Sequence, residues 1–405
     1  SSYFESVDVD NNGDVLIAGR NHGQTWMDMN DHTGPSQSSS LTTPYIGKYK
    51  ANGDLIWARR LNRCGKYDHS SAWDAKFTSD GRVVVVGAYS GTPTWACTDA
   101  GKVEGNPGPG AYELGHSFPN HLTLGMRSYM AFLDNSNGAV EYVREIGSYV
   151  QRSSAQQIVE HPVTGDLYIL GLWENTIKNP DDCGDEDRWF FAPQIPNKDF
   201  PLIGDFSRFT EGGGLVECDQ HENGGAVNDD HYLLHTDRLG NLKSLKLLDV
   251  HLEKVYGPSL AINSDGSELA IVDTGIPQSK TQLSGNQGAG SNGWILTLNT
   301  SDLSENWRWV NQNYTDPLLD TSKVDKYAYS WTHGVAYGPE DKVHVTGRTQ
   351  WSTLFGTTAT GTDGTQIKTT IANADAFVAR YTLDGLLDNG VPAEVPQVAP
   401  DGYSI

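Results

Sequence analysis

Asp8-Val9-Asp10-Asn11-Asn12-Gly13-Asp14 has the spacing of oxygen ligands that opens a calcium-binding loop. Such a loop closes on a bidentate glutamate at position twelve. That position is Gly19 here, so a tight turn is the preferred reading. A better candidate for a hard cation is the run Asp181, Asp182, Asp185, Glu186 and Asp187, which packs five carboxylates around Cys183; a solvated loop competes with it. Calcium is the one cofactor that either run suggests. Gly288-Ala289-Gly290-Ser291-Asn292-Gly293 fits a dinucleotide fingerprint in spelling only, since a strand-like segment follows where a helix is required. His231 and His235 stand four apart, on one face of a strand. With no third ligand nearby they read as packing residues. No nucleophile elbow, zinc-protease helix or P-loop occurs.

Cys64, Cys97, Cys183 and Cys218 include no C-x-x-C pair, which argues against zinc. The pairs 64–97 and 183–218 are preferred to the two other connectivities, and free buried thiols are the alternative. Asn299 and Asn313 begin N-x-S/T sequons, as a secreted glycoprotein would have, although chance supplies as many in a chain of 405 residues. The chain begins Ser1-Ser2-Tyr3, so either a leader has been removed or a longer chain precedes it. The net charge of −22 repels phosphate backbones and anionic headgroups, so nucleic acid and membrane surfaces are poor partners. No apolar run approaches the roughly 18 residues that a membrane span needs.

The elements that would position these groups come in a repeat. An apolar, β-branched strand ends on glycine at Val15–Gly19, Val83–Gly87, Leu167–Gly171 and Val343–Gly347. A fourth copy in chain order, Leu269–Asp273, has its glycine two places late, at Gly275. Each copy follows a strand and a tight turn of the kind that favours hairpins, as in SVDVDNNGD (6–14) and AWDAKFTSDGR (72–82). A second hairpin completes each unit, as in IGKYKANGDLIWAR (46–59) and AFVARYTLDGLL (376–387). Five such four-stranded antiparallel units cover about 3–62, 70–146, 154–249, 257–310 and 329–388. A proline-spaced tail follows at 391–405. Units too small to stand alone stack, and stacking around an axis makes an all-β, five-bladed β-propeller over residues 1–390. Two sandwiches side by side are the alternative.

The turn-plus-strand phrase and DAFVARYTLDG (375–385) resemble the SBBP-type β-propeller repeat family, whose repeat runs DAFV…DG…GN-YV-G. The resemblance spans the five units but not the insertions between them. It implies propeller architecture in a surface or secreted protein and says little about activity.

By analogy with propellers, the glycine-ended strand is second from the axis and its predecessor innermost. The channel mouth then reads Glu5, Asp74, Gln156, Ser259 and His333, with Trp73 and Trp331 beside it. Two acids among five positions do not form the carboxylate constellation of a glycosidase, so hydrolysis is not supported. The two tryptophans could stack on a sugar or fill space between blades. The connections after the glycine-ended strand are long, at 20–44, 88–127, 172–230, 276–292 and 348–374, and they gather on one face. Residues 173–230 hold fourteen acidic against four basic side chains, with Trp189-Phe190-Phe191 among them. The expectation is an extracellular or cell-surface, non-catalytic module that presents its loop-rich face to another protein or a glycan, with self-assembly as one outcome. A carbohydrate-active enzyme or lectin that uses Asp74, Glu5 and the tryptophans is the alternative. Shortening 184–217 is expected to leave the propeller folded but to abolish its assembly or ligand binding.

Overall fold

A computed structural model describes residues 2–22, 42–62, 70–89, 94–95, 127–148, 152–175, 189–194, 228–252, 258–275, 292–310, 312–313, 329–350, 353–355, 365–367 and 374–388. The chain divides into two compact units, Ser1–Leu248 and Asp249–Ile405. Both are built of antiparallel sheets. Among the described residues the one helical feature is a single 3-10 turn at Pro339–Asp341, and no helix is long and apolar enough to cross a membrane.

In the first unit, β1 (Ser2–Val9), β2 (Val15–His22), β3 (Thr42–Tyr49) and β4 (Leu55–Asn62) pair in chain order. The same order holds for β5 (Ser70–Phe77), β6 (Arg82–Tyr89), β8 (Arg127–Asp134) and β9 (Val140–Ser148). It holds again for β10 (Arg152–Glu160), β11 (Leu167–Asn175), β13 (Asn228–Thr236) and β14 (Leu242–Leu252). The middle sheet is packed on both faces. Val83 and Val85 meet Leu16, Ala18 and Ile46 on one side. Val84 and Val86 meet Ile158, Leu167 and Ile169 on the other. That is why four valines run without a polar residue between them, since a strand buried on both faces has no solvent side. By contrast β1 leaves Phe4, Val7 and Val9 exposed.

The second unit repeats the order with β15 (Ser259–Ile262), β16 (Glu268–Gly275), β17 (Asn292–Asn299) and β18 (Glu305–Val310). It continues with β20 (Tyr329–Tyr337), β21 (Val343–Gln350) and β24 (Ala374–Tyr381), joined by a single bridge from Tyr381 to Leu387. Beside it, Asp388 N–H donates to the Arg380 carbonyl at 2.8 Å. Val343 and Val345 pack on Val272 and Ile295, while His344 and Thr346 alternate to the other face.

The terminal glycine of the second strand has a steric cause. Gly171 pairs with Tyr232, and a Cβ there would lie 2.1 Å from the tyrosine ring. Tyr129 lies over Gly87 and Phe377 over Gly347 in the same way. In the fourth sheet the position is Asp273, opposite Trp294. The turn glycine of the second hairpin has two duties. Gly138 has φ +70° and lies under Trp57 of the preceding sheet, whose indole N–H donates to the Asn135 carbonyl at 2.8 Å. Trp307 makes the same contact over Gly385, donating to the Leu383 carbonyl at 2.8 Å.

The insertions contribute strands that their composition does not announce. β7 (Thr94–Trp95) pairs with β4, and β12 (Trp189–Gln194) pairs with β9. Each strand comes from the insertion of one sheet and extends the outer edge of the sheet before it. In the second unit β19 (Gln312–Asn313), β22 (Thr353–Phe355) and β23 (Thr365–Ile367) form a small sheet of their own. Shortening 184–217 would therefore take β12 from the edge of β9.

Candidate functional site

The first strand of four of the five main sheets carries a β-bulge at one register position. The shift falls between Phe4 and Ser6, between Ala72 and Asp74, between Ala155 and Gln157, and between Thr332 and Gly334. The residues left out of the ladder are Glu5, Trp73, Gln156 and His333. Each bulge lies beside the terminal glycine of the second strand, at the end of the sheet from which the long connection leaves. A bulge re-aims a side chain out of the pleat, and that is how a regular sheet presents one. β15 begins at Ser259, paired with Val272, and has no bulge.

Three of the five expected mouth residues, Glu5, Gln156 and His333, are thus bulged residues. In β5 the bulge falls on Trp73 and not on Asp74. Counting alternate residues slips by one across a bulge, which explains the displacement. Asp74 is 3 % exposed and spends its carboxylate on structure. It accepts from the Ser6 hydroxyl, from its neighbour Ala75 N–H at 2.9 Å and from Ile158 N–H at 2.9 Å. It thereby ties β1, β5 and β10 together. Burial raises its pKa, and Lys76 and these hydrogen bonds offset only part of the rise. Ser259 has the same kind of duty in the second unit, where its hydroxyl accepts Val335 N–H at 3.2 Å.

Around the bulges of the first unit, Glu5 pairs with Arg20 at 2.8 Å. The Arg20 guanidinium sits 4.6 Å from the centre of the Trp73 ring. In the second unit Arg348 lies 4.3 Å from the Trp331 ring across the strand pair, and His333 is exposed. The sequence reading did not single out either arginine. Both directly follow the terminal glycine, and that adjacency was the available signal.

His231 is buried. His235 stacks on Tyr168 at 4.4 Å and meets Asp166 at 3.2 Å and Ser244 at 3.5 Å. In the turn after β1, Asp10 accepts the backbone N–H groups of Asn12 and Asp14, both at 2.9 Å. The Lys48 ammonium lies 3.1 Å from Asp14 and 3.9 Å from Asp10, on the carboxylates that a calcium ion would need. Asn299 caps its own turn by accepting Ser301 N–H at 2.9 Å. The side chain of Asn313, the acidic run at Asp181, Asp182, Asp185, Glu186 and Asp187, and Cys64, Cys97, Cys183 and Cys218 lie outside the described residues.

No family model matches the chain, and no curated protein matches it. Among solved structures, a luciferin-regenerating enzyme is similar over 93 % of this chain and 83 % of its own, with 9 % identity and a TM-score of 0.32. A likeness that low carries no argument about fold or activity.

Proposed function

We propose that the chain is a five-bladed β-propeller acting as a non-catalytic, extracellular binding or assembly module, and that it engages another protein or a glycan at the bulged end of its sheets. One observation carries this reading. The same bulge recurs in β1, β5 and β10 and sets three unlike side chains, Glu5, Trp73 and Gln156, at matching positions, while the one buried acid beside them is taken up by backbone ties. Variable side chains on a constant frame suit recognition. The paired-carboxylate chemistry of a glycosidase needs a second available carboxylate, and Asp74 is buried and held by hydrogen bonds.

The propeller part of the reading draws on the common strand order and on the exposed Phe4, Val7 and Val9, since a closed ring gives every sheet two neighbours. Val7→Asp is then expected to cost about 2 kcal/mol or more, as a carboxylate forced against an apolar face does. Wild-type denaturation by that variant would count against closure. The extracellular part draws on the cysteines, and non-reducing peptide mapping is expected to return 64–97 and 183–218. Four alkylatable thiols in native protein would remove it. The binding part is tested by screening wild type and Arg20→Ala against immobilised glycans and a displayed peptide library. A ligand lost in the variant supports the reading, and a screen in which no probe separates the two proteins defeats it.

A further inference from the structure

We propose that the bulge row of the first unit, Glu5, Arg20, Trp73 and Gln156 with Ser154 beside it, is a subsite for a neutral, hydroxyl-rich ligand, namely a stretch of uncharged glycan. This deepens the binding reading above and rests on it.

The first argument is placement. Ser6, next to Glu5, donates to Asp74, next to Trp73, and Asp74 accepts from Ile158, two residues beyond Gln156. The three bulged residues therefore lie side by side on three strands fixed to one another. The Arg20 guanidinium, 4.6 Å from the Trp73 ring and 2.8 Å from Glu5, joins the first two directly.

The second argument is charge. Arg20 is the cation of the row and Glu5 neutralises it, so a phosphate or carboxylate ligand would meet no uncompensated positive charge. A metal ion would have to displace the guanidinium from Glu5, the one carboxylate left among the described residues of the row. Neither kind of ion suits the row.

The third argument is unmet hydrogen bonding. The Trp73 indole N–H and the Ser154 hydroxyl are buried, and neither has a hydrogen-bond partner among the described residues. Buried donors left open in this way call for an acceptor that the described residues do not supply. The Gln156 amide both donates and accepts. Hydroxyl groups, which also do both, answer all three. Arg20 occupies one face of the indole and holds the ring. A peptide would be expected to anchor by filling an apolar pocket. The end of β10 instead carries Ser154, two residues before Gln156.

The test is calorimetric titration of the intact chain with hexasaccharides of an uncharged β-glucan, an α-mannan and a chitin-type polymer. Inorganic phosphate, polygalacturonate and a displayed peptide library serve as comparisons. At least one neutral oligosaccharide is expected to bind, with an affinity that barely changes between 0.1 and 1 M salt. Trp73→Phe keeps the ring and loses the N–H, and it is expected to weaken binding about fivefold to tenfold, the loss of one hydrogen bond. Ser154→Ala, a small change that the strand tolerates, is expected to weaken it severalfold. Neutral binding that neither variant changes would overturn the assignment, as would a structure with only a water on the two donors. Binding confined to polygalacturonate or a peptide, and lost in Trp73→Phe, would overturn the assignment to an uncharged glycan yet leave the binding surface standing. If no probe separates wild type from either variant, both readings fall.

Discussion

Asp166 in the first unit and Glu268 in the second hold the same station in the repeat, just before the apolar run of the second strand, yet their carboxyl groups are driven in opposite directions. Asp166 faces cationic and basic partners, with Lys243 Nζ at 2.6 Å and His235 Nε2 at 3.2 Å. Burial raises its pKa, but the hydrogen bonds and charges of Lys243 and His235 outweigh that and hold it below the usual value. Glu268 faces neutral groups, accepting from the Tyr337 hydroxyl at 2.8 Å and the Asn306 amide at 2.7 Å. Burial prevails there, and the pKa rises. The repeat fixes where the acid sits, and the neighbouring strands decide which way its pKa moves.

The most damaging way to break this contrast is Tyr337→Phe, which leaves a buried carboxylate short of a donor. It is expected to cost about 2 kcal/mol at neutral pH, the scale of a hydrogen bond to a charged group. Urea denaturation that matches wild type would show that Glu268 does not depend on the tyrosine.

Acid should separate the two stations next. His235 is held below its ordinary 6.5, by burial first and Lys243 second, with Asp166 pulling the other way. A depressed group gives stability that is present above its unfolded pKa and lost as pH falls through its folded one, and both His235 and Asp166 behave so. The raised Glu268 gives stability that is complete below its ordinary 4.5 and lost as pH rises through its folded value. Between pH 7 and 5, amide protection corrected for the intrinsic exchange rate is expected to fall in β11 and β13 and to rise in β16 and β17. Parallel changes in both units would defeat the contrast. Glu268→Gln sharpens it, because the response of the second unit should then flatten while the first is unchanged.

The smallest effect belongs to Asp166→Asn. Lys243 is nearly half exposed, and such pairs contribute about 1 kcal/mol or less. A loss well beyond that in thermal melts would mean that the His235 contact carries more than the lysine.

These differences set the limit of what the sequence could tell. The strand order was legible because the glycine-ended run and the hairpin turns recur, and a glycine under Tyr129 or Tyr232 leaves a mark that cannot be substituted away. Val83–Val86 announced a sheet packed on both faces, and Val343-His344-Val345-Thr346 one packed on a single face. The bulge row was only partly legible. A bulge has no spelling of its own, so Trp73 and Asp74 exchanged roles in the count. The tie that runs from the Glu160 carboxylate to Ser79, with N–H···O distances of 2.9 and 3.0 Å, joins residues 81 apart in sequence, and no local pattern encodes it. Strands of two to six residues, such as β7 and β12, are too short for periodicity to expose.

Those short strands also set an order of events during synthesis. β4 ends at Asn62, but the strand that extends its edge arrives only with Thr94–Trp95. β9 ends at Ser148 and waits for Trp189–Gln194. A nascent chain therefore carries one unfinished, hydrogen-bond-hungry edge for several tens of residues at a time, and a second chain emerging nearby could pair with it. The insertions are in that sense late-delivered closures, and slow translation through them would prolong the interval in which the protein is most open to its own copies.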